Sequence, residues 1–130
     1  MILLKAVTAY AALNSLMEKE FSFADAYRLL GLKQKLQTAA EFYLEKEREL
    51  AAACGKKDEA GRLIVSAGGE FAFQDEEAGA RYQERKRELA LTEIQQDWET
   101  VTVSAPERVR PAVIEALMGF VDFQGKDEEK

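Results

Sequence analysis

Apolar residues at Leu3, Val7, Tyr10, Ala11, Leu13 and Met17 recur at helical spacing, predicting about three turns of helix, with residues 1–4 alternatively opening as a short strand. Phe21-Ser-Phe23 breaks that pattern, and Ser22 followed three residues later by Asp25 has the form of a helix N-cap with an acidic third residue. The helix that starts there is predicted to reach about Ala53. Leu29, Leu32, Leu36, Ala39, Tyr43, Lys46, Leu50 and Ala53 alternate steps of three and four, and all but Lys46 are apolar, which is the pattern of a coiled-coil seam. Gly31 weakens the helix by about 1 kcal/mol relative to alanine. Gly55 stands where a terminating glycine belongs, followed by Lys56 and Lys57.

Residues 61–73 carry a hairpin signal: β-favouring runs flank the turn residues 66–69, with Leu63 and Val65 sharing a face, as do Phe71 and Phe73. Asp75 then caps a third helix predicted to run to about Gln96, polar in its first half and offering Leu89, Leu91, Ile94 and Trp98 for burial. Thr100 to Val103 alternates like a half-buried strand. Pro111 suits the first turn of a last helix holding Val113, Ile114, Leu117, Met118, Phe120 and Val121. The expected fold is therefore α+β and predominantly helical. A long antiparallel helix pair is joined by a β-hairpin, with short N- and C-terminal helices and a short strand near 100–103. One domain spans 1–123, and 124–130 form a mobile acidic tail.

Composition narrows the chemistry. The 130 residues include one cysteine, Cys54, and no histidine, which excludes an internal disulfide, the usual zinc, copper and haem ligand sets, and every histidine-based triad. The net charge of −6 disfavours a nucleic acid duplex or an anionic membrane as partner. Asp75, Glu76 and Glu77 fall at a helix start, where the macrodipole favours them, and Gly68-Gly69 lacks the Lys-Ser/Thr of a phosphate loop. No cofactor, no metal and no catalysis are expected. Met1-Ile-Leu-Leu-Lys5 is too short an apolar run for a signal peptide, and no stretch of about 18 apolar residues follows, so a cytoplasmic setting is expected.

The candidate binding residues are Arg62, Phe71, Phe73, Arg81, Tyr82 and Arg85. Arg62 and the phenylalanines sit on the hairpin, while Tyr82, Arg81 and Arg85 lie one to three turns into the following helix. All six therefore fall within about 15 Å at 1.5 Å rise per residue. Arginine and aromatic residues anchor interfaces and also stack on bases and fork onto phosphates. The hairpin's apolar face needs a cover, which the chain's own helices, a second subunit or a target protein would supply. A homodimer burying the Leu29–Leu50 seam or the hairpin face is expected.

The order of pieces resembles small uncharacterised proteins of tailed bacteriophages and prophages of Gram-positive bacteria. The likeness runs through the short helix Ala6–Leu16, Ala26-Tyr-Arg-Leu-Leu30, the turn Gly55-Lys-Lys-Asp-Glu-Ala-Gly-Arg-Leu63, the charged helix, the strand Thr100–Val103 and the Pro111 helix. It is a likeness of architecture over nearly the whole chain and brings no catalytic residues. What it implies is a phage protein of the host cytoplasm. Its expected role is an anti-defence protein that binds a host protein or sequesters a signalling nucleotide stoichiometrically; the alternative is an accessory of head or tail assembly.

Overall fold

The structure, a computed structural model, describes residues 1–67 and 72–125. It is α+β and predominantly helical. In order come α1 (Leu3–Leu16), α2 (Phe23–Cys54), α3 (Glu76–Ala90), β1 (Val101–Ser104), α4 (Pro111–Ala116) and β2 (Val121–Gln124).

The start of α2 is built as its sequence dictates. Ser22 Oγ accepts the backbone N–H of Asp25 at 3.2 Å, satisfying one of the donors that a helix start leaves free. Asp25 is the buried charge among the described residues: its Oδ2 accepts the Ser104 N–H at 3.0 Å and its Oδ1 accepts Arg28 Nη1 at 2.9 Å. One side chain thereby ties the first turn of α2 to the end of β1.

The buried stripe of α2 is Leu29, Leu32, Leu36, Ala40, Tyr43, Ala51 and Cys54. It follows the 3.6-residue period of a straight helix, so it shares Leu29, Leu32, Leu36 and Tyr43 with the 3.5-residue seam but takes Ala40, Ala51 and Cys54 in place of Ala39, Leu50 and Ala53, and Ala53 ends up exposed. Leu29, Leu32 and Leu36 lie in a core with Ala6, Ala9, Leu13 and Leu16 of α1, together with Trp98, Val103, Leu117, Phe120 and Val121. This upper part of the predicted dimer seam is thus covered from within the chain. The small residues Ala6 and Ala9, rather than Val7 and Tyr10, form the centre of α1's buried face.

Three boundaries differ from the sequence reading. α3 ends at Ala90 instead of Gln96, because the next segment pairs with the chain's first residues: Leu3 N–H donates to Thr92 O, Ile94 N–H donates to Met1 O, and Ile2 bridges Glu93. The last helix stops at Ala116, before Gly119 at φ 87°, a left-handed conformation that suits glycine. Beyond it Val121–Gln124 run parallel to β1, pairing Val101 with Val121 and Ser104 with Gln124, so Gln124 belongs to a strand rather than a tail. Residues 105–120 make the crossover that a parallel pair requires.

The predicted hairpin is not a regular ladder among the described residues. The tight turn that is described lies earlier, at Asp58–Gly61. Asp58 Oδ1 accepts the N–H groups of Ala60 and Arg62 at 2.9 and 3.0 Å, and Gly61 takes φ 81°. Gly55 ends α2 in an extended conformation, not a left-handed one, and bridges Phe73, while Lys57 bridges Leu63. Three segments close a ring of backbone hydrogen bonds: Ile64 N–H to Lys56 O, Lys56 N–H to Ala72 O and Ala72 N–H to Ile64 O. Gly68, Gly69 and Phe71 lie outside the described residues.

Candidate functional site

The connection between α2 and α3, the tip, has its own small core. Ala51, Cys54, Ala78 and Tyr82 are buried there, with Leu50, Leu63 and Phe73 packed against them. Asp75 Oδ1 caps α3 by accepting the Ala78 N–H at 2.7 Å, which sets the helix so that Ala78 and Tyr82 face α2. The rings of Phe73 and Tyr82 lie 5.3 Å apart, tilted by 48°. Gly79 makes room for this contact: a Cβ there would stand 3.0 Å from Phe73 Cδ2.

Further along, Lys86 reaches Glu47 across the two helices at 3.3 Å and lies 5.7 Å from the Tyr82 ring centre. Burial by itself lowers the affinity of Lys86 for its proton. The Glu47 carboxylate and Tyr82 outweigh it, leaving the ammonium above its ordinary value. Burial, followed by the Glu47 charge, raises the Tyr43 phenol against the lowering effect of Lys86. This cluster is a structural clasp between α2 and α3.

The structure therefore divides the six predicted binding residues. Phe73 is half-buried and Tyr82 buried, both within the tip core; Arg62, Arg81 and Arg85 are exposed; Phe71 lies outside the described residues. Arg81 and Arg85 stand one turn apart on the flank of α3, and Arg85 lies 3.9 Å from Glu88. Ile64 and Val65, two and three residues after Arg62, are 41% and 53% exposed.

A second surface is absent from the sequence reading. A groove of about 670 Å³ lies between α2 and the segment after α3, lined by Gly31, Gln34, Thr38, Ala39 and Phe42 on one side and Thr92, Ile94 and Trp98 on the other. Trp98 stacks on Phe120, with ring centres 5.8 Å apart, and its indole N–H is buried without a hydrogen-bond partner. Lys35 reaches toward Asp97 at 3.8 Å across the groove. On α2, toward its N-terminus, Phe23 and Tyr27 stack with ring centres 6.3 Å apart while 86% and 70% exposed, and Leu30 continues their face. The legible signal was the i, i+4, i+7 spacing of Phe23, Tyr27 and Leu30, which lies off the Leu29–Leu32–Leu36 stripe and gives α2 a second apolar face.

Among the described residues no three His, Cys, Asp or Glu side chains are grouped to hold a metal ion, and no helix is long and apolar enough to cross a membrane. Compared with family models, curated proteins and solved structures, the chain matches none.

Proposed function

We propose that this chain is a non-catalytic binding protein that acts stoichiometrically by laying its tip on the surface of a host protein, in keeping with the phage-like order of its elements. In this reading α2 and α3 form an antiparallel arm, capped by the segments 55–67 and 72–73. The observation that carries the reading is the exposure of Ile64 and Val65 close in sequence to Arg62, at a tip where Phe73 and Tyr82 are already used in its own core. An apolar centre with arginines nearby has the composition of an interface anchor. These side chains stand outward, which suits a protein face better than a small nucleotide that needs enclosure.

The test is capture from lysate of the bacterial host with tagged protein, wild type against Arg81→Glu with Arg85→Glu, and separately Arg62→Glu. Charge reversal at these exposed positions leaves the fold intact. The reading expects a stoichiometric host partner whose retention falls at least tenfold in the variants while the melting temperature is unchanged. Equal retention by wild type and variants overturns the tip as the contact surface. Recovery of the protein as a fixed component of purified particles would favour the assembly role instead.

A further inference from the structure

We propose that the exposed face of α2 forms a two-fold dimer centred on Gly31, in which Phe23 and Tyr27 of each copy enter the groove beside Trp98 of the other. This surface is independent of the tip. The argument begins with the glycine. Gly31 sits in the middle of a 32-residue helix, is exposed, and has nothing within 4 Å of the position its Cβ would take. Its backbone needs no glycine and no neighbour in the chain fills the space, yet it weakens the helix by about 1 kcal/mol relative to alanine. A residue without a side chain at that point lets a second helix approach closely.

On either side of Gly31 the helix carries a projection and a recess at matching distances. Tyr27 and Phe23 lie four and eight residues before it, about 6 and 12 Å along the axis; Lys35 and Ala39 lie four and eight residues after it. Gln34, Lys35, Thr38 and Ala39 are groove wall, and the Lys35 ammonium, 3.8 Å from Asp97, stands where the Tyr27 ring of a second copy arrives. When two copies of α2 cross antiparallel at Gly31, the stacked rings of one fall over the groove of the other, and the same contact repeats in reverse. That is the condition for a closed isologous pair, in which residue i meets j and j meets i.

Charge and area agree with a second copy as the occupant. The face from Phe23 through Tyr27, Leu30, Gly31, Gln34 and Thr38 carries no charged residue. Where the groove continues beyond Gly31 its rim holds Arg28 and Lys35 on α2 against Asp97 and Glu99 opposite, two bases and two acids. Such a balanced rim is complementary to itself, whereas a strongly acidic or basic partner would meet as many repulsive charges as attractive ones. The two exposed rings offer roughly 300 Å² per copy. With the walls that receive them, and counted twice, the buried total is roughly 1,200 Å², the lower edge of a stable specific interface.

Sedimentation at about 100 μM tests the assembly. Wild type is expected at twice 14.6 kDa, and Phe23→Ser with Tyr27→Ser at 14.6 kDa with the same helix content by circular dichroism. Position is tested by cross-linking in a Cys54→Ala background. Gly31→Cys places its thiol at the two-fold axis and is expected to form a disulfide-linked dimer under mild oxidation. Arg48→Cys, on the same helix but about 25 Å further along, is expected to stay uncrosslinked. A wild-type mass of one copy at that concentration overturns the proposal, as does a dimer that survives the double serine variant. Equal cross-linking at both cysteine positions overturns it too. Because neither variant set touches Arg62, Arg81 or Arg85, failure here leaves the tip reading standing, and loss of host capture leaves the dimer standing.

Discussion

Replacing Asp25 with alanine tests how α2 is joined to the small sheet. The residue is 7% exposed, and its carboxylate accepts the Ser104 N–H at 3.0 Å and Arg28 Nη1 at 2.9 Å. A hydrogen bond to a charged acceptor contributes about 1.5–3 kcal/mol, and a carboxylate in the first turn of a helix about 0.3–1 kcal/mol. The Arg28 side chain is 54% exposed, so its ion pair is screened and adds little. The expected loss for Asp25→Ala is therefore about 2–4 kcal/mol. Urea unfolding followed by circular dichroism measures it, provided the transition is two-state. Asp25→Asn keeps an oxygen for Ser104 but removes the charge, and is expected to lose roughly half as much. In a double-mutant cycle, Arg28→Ala should couple to Asp25→Ala by less than about 1 kcal/mol. A loss below about 0.5 kcal/mol for alanine, or an asparagine variant as damaged as alanine, would refute the bond to Ser104 as the source of the effect.

Other outcomes follow from the core and the clasp. Phe120→Ala, which empties a fully buried site stacked on Trp98, is expected to lower stability by about 3–5 kcal/mol in the same unfolding assay. Gly79→Ala should lose about 1 kcal/mol despite its better helix propensity, since the new methyl meets a Phe73 ring already held against Tyr82; a more stable variant would show that the ring can move away. Lys86 and Tyr43 both hold their protons more tightly in the folded chain than in the unfolded one, where their ordinary values are 10.5 and 10.0. The stability they contribute is present below about pH 10 and is lost as pH rises through the folded-state values, and Glu47→Gln should make that alkaline decline in melting temperature shallower.

How much of this was legible without the structure depends on the range of the interaction concerned. The Ser22 cap, the start of α3 at Asp75, a strand near 100–103 (found at Val101–Ser104) and the first turn at Pro111 are local matters of capping, alternation and fixed φ, and each is readable from a few neighbouring residues. The turn at Asp58–Gly61 was equally local in its chemistry, an aspartate with a glycine three residues on, but the richer β pattern downstream drew the hairpin turn to 66–69. Tertiary contact alone ended α3 at Ala90 and made a strand of Val121–Gln124, because in both places the backbone groups find partners far away in sequence. It also decided which apolar stripe of α2 is buried. Leu29–Leu32–Leu36 and Phe23–Tyr27–Leu30 are both helical stripes; α1 and β1 pack against the first, and the second, with its two stacked rings, is left uncovered by the rest of this chain. Periodicity shows that a face is apolar, whereas the neighbour that covers it depends on where the rest of the chain can go.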